Sequence, residues 1–182
     1  MDKSKMKQEE IKEFIDGNLE VLQKEGAIYI MGKLGMYMQD LIPEESFVGD
    51  FKDIDLLVSN RIIYYLEATG FGAKMDFIRE EQSSTGQGTK DRSIFLYTYN
   101  DVEVRCLAPE DIACTLIAGL IYPRHRKTLY KILPKIPKEK LLTAYSDFKD
   151  KDQSNFDSLR KGIYIAMSEE LDNIIEIVYD SW

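Results

Sequence analysis

The sequence predicts an α+β fold, with a mixed β-sheet flanked by helices and a helical extension at the carboxyl end. Three features of the 182-residue chain point to this class. Short apolar runs alternate with helical spacing between residues 27 and 70, a hairpin pattern follows, and helical spacing then continues to the carboxyl end. We divide the chain into residues 1–149, which hold the sheet and an N-terminal helix, and residues 150–182, a helix packed on them in one compact unit.

The first half of the chain predicts alternating helices and strands. Apolar residues among many Lys and Glu indicate an amphipathic helix over residues 4–25, which ends at Gly26. The following elements are a strand at Ala27–Met31, a short helix at Leu34–Leu41, a strand at Phe51–Val58 and a helix at Arg61–Glu67 capped by Ser59 or Asn60.

The second half predicts one more strand, a hairpin and several helices. A strand is expected at Ala73–Arg79, and Gln82–Arg92 has the composition of a loop. The later elements are a hairpin of Ser93–Tyr99 and Val102–Leu107 turning at Asn100–Asp101, a helix beginning at Pro109, a basic segment at Arg124–Lys140 and a helix at Phe156–Val178.

Composition narrows the classes of function. The net charge of −8 argues against nonspecific binding of the whole surface to nucleic acid, although a local basic face could still bind it. No apolar stretch approaches the roughly 20 residues of a membrane span, so we expect a cytoplasmic protein that does not bind membranes. Only Cys106 and Cys114 are present, and we expect both to be buried thiols rather than a disulfide or metal ligands.

Two aspartates interrupt the apolar strand at Phe51–Val58. Because side chains alternate across a strand, Asp53 and Asp55 project from the same face. Two carboxylates this close repel each other, and a hard divalent cation such as Mg²⁺ would relieve that repulsion. The alternative is an acidic strand end in solvent.

Three segments, in this order, resemble the motifs of the nucleotidyltransferase superfamily, which has the DNA polymerase β-like fold. They are Ile30-Met31-Gly32, Lys52-Asp53-Ile54-Asp55-Leu56-Leu57-Val58 and Val102-Glu103-Val104. The segment Leu107–Ile112, followed by an apolar helix and a basic cluster, is similar to the small prokaryotic members, including the toxin-type and uncharacterised branches. The resemblance covers about Ala27 to Tyr130 and implies a nucleotidyltransferase-like sheet.

The resemblance also implies a set of roles. Gly32, with Lys33 beside it, would hold the triphosphate of a nucleoside triphosphate (NTP), and Asp53, Asp55 and Glu103 would be the catalytic ligands of Mg²⁺ or Mn²⁺. Such an enzyme moves a nucleoside monophosphate from the NTP to a hydroxyl group on RNA, protein or a small molecule. Two cations suit this chemistry because they stabilise the attacking and leaving oxygens of an in-line displacement. We therefore expect the three carboxylates to converge at a cleft edge.

Two departures from the family pattern leave other functions open. Lys33 stands where the family usually has Gly or Ser, and the gap from Gly32 to Asp53 is long enough for an inserted loop. Lys33 could contact phosphate, fill the phosphate pocket or remain solvated. The alternatives are an inactive nucleotidyltransferase-fold binding protein, for instance of a toxin–antitoxin pair, and a metal-dependent phosphoester hydrolase.

Other candidate motifs carry less weight. His125 is the only histidine, which leaves little for a Ser-His-Asp system or a histidine-rich zinc site. Gly86-Gln87-Gly88 lacks the Lys-Ser/Thr of a phosphate-binding P-loop. The basic segment Arg124–Lys140 is either a solvated helix face or a contact for phosphate or RNA.

Overall fold

The computed structural model describes residues 3–43, 54–67, 75–79, 88–118, 123–153, 171–174 and 176–180. The strands are β1 (Ala27–Ile30), β2 (Ile54–Val58), β3 (Met75–Arg79), β4 (Ile94–Tyr99) and β5 (Val102–Cys106). The helices are α1 (Lys3–Gly17), α2 (Leu19–Glu25), α3 (Gly32–Met38), α4 (Asn60–Glu67), α5 (Thr89–Arg92), α6 (Pro109–Ala118), α7 (Pro123–Ile132) and α8 (Lys138–Gln153). A 3₁₀ turn at Leu133–Lys135 links α7 to α8, and a π-helical segment lies at Glu176–Asp180.

The five strands form one mixed sheet in the order β3-β2-β1-β5-β4. Strand β1 is central, running antiparallel to β2 and parallel to β5. Strand β3 pairs parallel with β2, and β4 closes the other edge in an antiparallel hairpin with β5. The predicted α+β class, with a mixed sheet flanked by helices, is therefore confirmed.

Each face of the sheet is covered by its own apolar core. Alternate residues of the strands, including Ile30, Leu56 and Val104, pack with the apolar sides of α1, α2 and α4. On the other face, Leu57 packs in a second cluster built mainly from α3, α6, α7 and α8. The side chain of Asp55 belongs to this second face because it is one residue away from Ile54 and Leu56 in the strand.

Two predicted elements differ from the structure. The N-terminal helix is interrupted at Asn18, whose side-chain amide donates to the carbonyl of Phe14, so α1 and α2 are separate helices. The predicted loop Gln82–Arg92 contains a short helix, α5, at its end. The helix is stabilised by Asp111, which accepts hydrogen bonds from Thr89 and Arg92, a long-range contact that local composition does not reveal.

The hairpin turn and the helix starts agree with the prediction. Asn100 and Asp101 both have positive φ, 48° and 61°, as a two-residue turn between twisted strands requires. Helix α6 begins at Pro109 with Glu110 and Asp111 in its first turn, where their charge complements the helix dipole. Among the described residues, none of the helices combines the length and the apolar character needed to span a bilayer.

The described residues near the carboxyl end pack into the core to which α7 and the following turn also belong. Leu171 and Ile174 are buried in that core, and the Tyr179 hydroxyl donates to the carbonyls of Leu133 and Ile136. Helix α8 runs through residue 150, where we placed the start of the C-terminal unit. Most of the helix predicted at Phe156–Val178 lies outside the described residues.

Candidate functional site

The candidate site lies where β1 ends and α3 begins. The Met31 amide donates to the Asp55 carbonyl at 2.9 Å, which extends the β1–β2 pairing one residue beyond Ile30 and Leu56. Gly32 then turns the chain into α3 with a φ of +63°, in the left-handed region that favours glycine. The position at which the chain leaves the sheet is therefore set by the hydrogen bond to Asp55 and by the turn at Gly32.

The side chain of Asp55 packs directly against Gly32. A methyl group added at Gly32 would overlap the Asp55 carboxylate, reaching within 2.7 Å of Cγ. Gly26, the other described glycine with positive φ, has nothing within 4 Å of such a methyl group. The absence of a side chain at Gly32 thus has a reason beyond its backbone conformation: it leaves room for the carboxylate.

A second carboxylate lies beside Asp55 on the neighbouring strand. Asp76 of β3 is the register partner of Asp55, so the two side chains project from the same face of the sheet. Asp55 is half-buried and Asp76 is exposed. Sequence reasoning assigned the strand of Asp76 but missed the residue, since only the parallel pairing of β2 with β3 brings it next to Asp55.

Glu103 lies at the opposite end of β1. Its register partner is Ala27, and its amide donates to the Gly26 carbonyl. The residue that pairs with Asp55 is Met31, just after β1 and four residues beyond Ala27, which corresponds to about 13 Å of extended chain. The Glu103 carboxylate instead pairs with Arg105 at 2.7 Å. The structure does not bring Glu103 to Asp55, and the predicted convergence with Asp55 is not observed.

The remaining predicted site residues have different outcomes. Asp53 lies outside the described residues, so its position on the strand stays a prediction. Lys33 is exposed in the first turn of α3, directly after Gly32. The candidate site therefore rests on Gly32, Lys33, Asp55 and Asp76 among the described residues.

The donor atoms at this end of the sheet are hard oxygens. Mg²⁺ is commonly held in nucleotide sites by one or two carboxylates together with substrate phosphates and water. The neighbouring carboxylates of Asp55 and Asp76 fit that requirement. Within the described ranges, no group of three or more His, Cys, Asp or Glu is arranged to hold a metal ion.

Gln39, directly after α3, forms hydrogen bonds that connect this helix to the end of β5. Its side-chain amide donates to the carbonyls of Gly35 and Leu107 and to the Cys106 sulfur, at 2.8–3.0 Å. Its Oε1 atom is buried and accepts no hydrogen bond. This arrangement fixes the position of α3, and with it Gly32, relative to the sheet.

The two cysteines are free, buried thiols, as predicted. Burial raises the pKa of Cys106 to about 12, while the Gln39 hydrogen bond lowers it by less. Burial also raises the pKa of Cys114, with a further increase from Asp111. Neither thiol is suited to act as a nucleophile at neutral pH, because the reactive form is the thiolate.

A separate groove opens at the other end of β1. It is lined by Glu25, Tyr29, Leu57, Ser59 and Lys90 among others, and it includes none of the predicted site residues. The Lys90 ammonium lies 5.4 Å from the centre of the Tyr29 ring, and Ser59 donates to Glu25. Acidic and basic groups are both present, so the lining does not select a ligand of one charge.

Comparisons with known proteins were made for the whole chain. No protein-family model, curated protein or solved structure matches it.

Proposed function

We propose that this protein is a metal-dependent nucleotidyltransferase whose nucleotide site is the end of β1 at Gly32 and Asp55. The observation that carries the proposal is the contact between this left-handed glycine and the Asp55 carboxylate. The two motifs that resemble the nucleotidyltransferase family are thus neighbours in space. In the proposal, the triphosphate approaches the backbone at Gly32, and the fold is of the nucleotidyltransferase type.

The metal ligands in this proposal differ from those that the resemblance implies. Asp53 and Asp55 keep their roles, and Asp76 replaces Glu103 as the third carboxylate, because Asp76 faces Asp55 in the sheet. Like charges directly opposite on neighbouring strands are destabilising, and a divalent cation would remove that repulsion. Mg²⁺ or Mn²⁺ would supply the positive charge that phosphoryl transfer requires.

A nucleotide-binding protein without transferase activity is the second candidate. The specific observation that favours it is the position of Glu103, which is paired with Arg105 at the far end of β1. The exposed Lys33 could either contact the triphosphate or occupy its place.

The acceptor in the first candidate, the nucleotidyltransferase, is a hydroxyl group on RNA, protein or a small molecule.

Calorimetry with Mg²⁺ and each of the four NTPs tests the site. We expect the parent to bind at least one NTP, Asp55→Asn to weaken that binding, and Glu103→Gln to bind like the parent. The Glu103 variant is a matched control because it removes one negative charge from the same face of the sheet. Failure of the parent to bind any NTP, or an equal loss in both variants, would contradict the proposed site.

Lys33→Ala and a transfer assay separate the two candidates. If Lys33 contacts the triphosphate, its removal weakens binding by about 1.5–3 kcal/mol, the range for a charge-assisted hydrogen bond. If Lys33 fills the phosphate pocket, its removal strengthens binding and favours the inactive protein. Transfer of an α-phosphate label from the bound NTP to an RNA, protein or small-molecule hydroxyl supports the enzyme, and binding without transfer supports the second candidate.

A further inference from the structure

Positive charge is concentrated in one segment of this acidic protein. Residues 124–140 have a net charge of +6, although the whole chain has −8, so the other residues together have −14. Glu139 is the only acidic residue of the segment. Its basic residues are Arg124, Arg126, Lys127, Lys131, Lys135, Lys138 and Lys140.

Three basic side chains of α7 lie on its outward face. Arg126, Lys127 and Lys131 are exposed, whereas Leu129 and Ile132 on the inner side of the helix are fully buried. Lys140, in the first turn of α8, is exposed as well. We call Arg126, Lys127, Lys131 and Lys140 the basic face.

Two lysines on other helices of the same protein form ion pairs with carboxylates. Lys12 pairs with Glu9 on α1 at 2.8 Å, and Lys24 pairs with Glu20 on α2 at 2.9 Å. Helix α7 contains no acidic residue, so none lies one turn away from Lys127 or Lys131. Like charges at this spacing destabilise a helix.

The start of α7 is a second place where positive charge is electrostatically unfavourable. The helix has no acidic residue in its first turn, where Arg126 places positive charge near the positive end of the dipole. In the described part of the chain, no carboxylate forms an ion pair with Lys127, Lys131 or Lys140. The repulsion among these three lysines is therefore not relieved by an ion pair within the described residues.

We infer that the basic face binds the phosphate backbone of a single-stranded nucleic acid, with RNA as the expected class. A row of phosphates supplies the negative charges that the helix lacks, and the release of counterions drives the association. The inference does not rest on the proposed nucleotide site.

Two other kinds of partner fit the surface less well. Protein interfaces are depleted of lysine and have an apolar or aromatic centre, but the described part of α7 exposes no large hydrophobic side chain. A helix that binds a membrane surface inserts apolar residues, whereas Leu129 and Ile132 are buried in the core. The charges, and the lack of a large exposed hydrophobic side chain on the described part of α7, both favour a nucleic acid.

The basic face is fixed to the helix that begins at Gly32. The Lys135 ammonium donates to the carbonyls of Asp40 and Leu41, just after α3, at 2.7 and 3.1 Å. Lys135 thus has a structural role and is not counted in the basic face. Helix α3 has seven residues and is about 10 Å long, so a bound strand could extend from the basic face toward the candidate site.

The test is fluorescence anisotropy with the full chain and a labelled RNA of about ten nucleotides, within the range of single-strand site sizes. We expect Lys127→Glu/Lys131→Glu to weaken binding roughly 20-fold at 0.1 M salt, the loss that follows from removing about two phosphate contacts. The slope of log affinity against log salt should also become shallower by about 0.7 per lysine, the value for single strands. The control Lys12→Glu/Lys24→Glu makes the same change in net charge on α1 and α2, and we expect it to bind nearly as the parent does.

Several results would overturn the inference. The parent could fail to bind the RNA even at low salt. Alternatively, the two double variants could lose affinity equally, which would show that the net charge of the protein, and not the basic face, determines RNA binding. Binding to vesicles of anionic lipid or to an acidic protein in place of RNA would also refute it. Thermal unfolding of both double variants verifies that they are folded. Failure of the parent to bind any NTP, with RNA binding retained, would overturn only the nucleotide site, so the two proposals fail separately.

Discussion

At the scale of single residues, the contact between Gly32 and Asp55 couples the backbone conformation at the start of α3 to the position of a side chain on β2. Glycine is required there for two reasons, a φ of +63° and the adjacent carboxylate. At Gly26, φ is +78° and the surrounding space is open, so only the first reason applies. A comparison of the two glycines therefore separates the cost of the backbone conformation from the cost of the contact with the carboxylate.

We predict that Gly32→Ala destabilises the protein more than Gly26→Ala. A left-handed backbone costs a non-glycine residue about 1–2 kcal/mol, and Gly26→Ala should lose about that free energy of unfolding. Gly32→Ala should lose more, because its methyl group also displaces the Asp55 carboxylate. Denaturant unfolding of both variants measures the difference.

A double variant tests the cause of that difference. In an Asp55→Ala background the carboxylate is absent, so Gly32→Ala should cost no more than Gly26→Ala. Such non-additivity is expected only of residues in contact. Equal costs of the two single variants, or strict additivity of Gly32→Ala with Asp55→Ala, would show that the contact does not constrain position 32.

At the scale of elements, the short helix α5 is attached to α6 and α8 by a buried network. Arg92 forms two hydrogen bonds with the Asp111 carboxylate and an ion pair with Asp147 at 2.9 Å. Asp147 also accepts from the Gly88 amide, and Thr89 donates to Asp111. These partners raise the pKa of the Arg92 guanidinium, chiefly through the hydrogen bond with Asp111.

We predict that Asp111→Ala lowers the free energy of unfolding by about 3 kcal/mol. Removing Asp111 takes two hydrogen bonds from Arg92, which keeps only its ion pair with Asp147. It also removes the acceptor of the Thr89 hydroxyl, at a site where the Asp111 side chain is only 1% exposed. The comparison is Glu20→Ala, which removes the carboxylate of an exposed pair and should leave the unfolding midpoint unchanged. Chemical denaturation of the two variants gives both values.

An equal effect of the two substitutions would contradict this account of α5. It would mean that the buried network contributes no more than a solvated pair. A decrease in the free energy of unfolding that occurs only in Asp111→Ala, accompanied by faster amide exchange at Thr89–Arg92, would support this account.

Local patterns predicted elements well but not the pairing between them. Alternation in the strand placed Asp55 on a defined face, and the two-residue turn at Asn100–Asp101 was predicted from its residue types. The shift of β5 along β1, which moves Glu103 away from Asp55, is fixed by backbone hydrogen bonds such as Leu107 to Ile30. Such a register is a long-range property, since one sequence pattern fits several alignments.

Asp76 was missed for the same reason. Its strand was recognised, but the partner of that strand depends on how α4 crosses from β2 to β3. The short helix α5 also depends on distant residues, since Asp111 lies 22 positions from Thr89. The sequence therefore predicted Gly32, Lys33 and Asp55 of the candidate site, and the strand pairing in the sheet added Asp76.

At the scale of the whole molecule, the candidate nucleotide site and the basic face belong to the same side of the sheet. Leu57 of β2 and Leu129 of α7 share one core cluster, which joins the strand of Asp55 to the helix of Lys127 and Lys131. Negative carboxylates lie at the end of β1, and positive side chains lie on the helix attached near the end of α3. This separation of charge suits a substrate with phosphates that needs a cation at one point and lysines at another.

The most direct test of the proposed nucleotide site is the thermal unfolding midpoint with and without Mg²⁺ and the NTP. A ligand at about one hundred times its dissociation constant stabilises the native state by about 2.7 kcal/mol, or roughly 5–10 °C for a chain of this length. We predict that rise for the parent and for Glu103→Gln, and its loss in Asp55→Asn and Asp76→Asn. A rise that persists in both aspartate variants, or that disappears in Glu103→Gln alone, would contradict the site at Gly32 and Asp55.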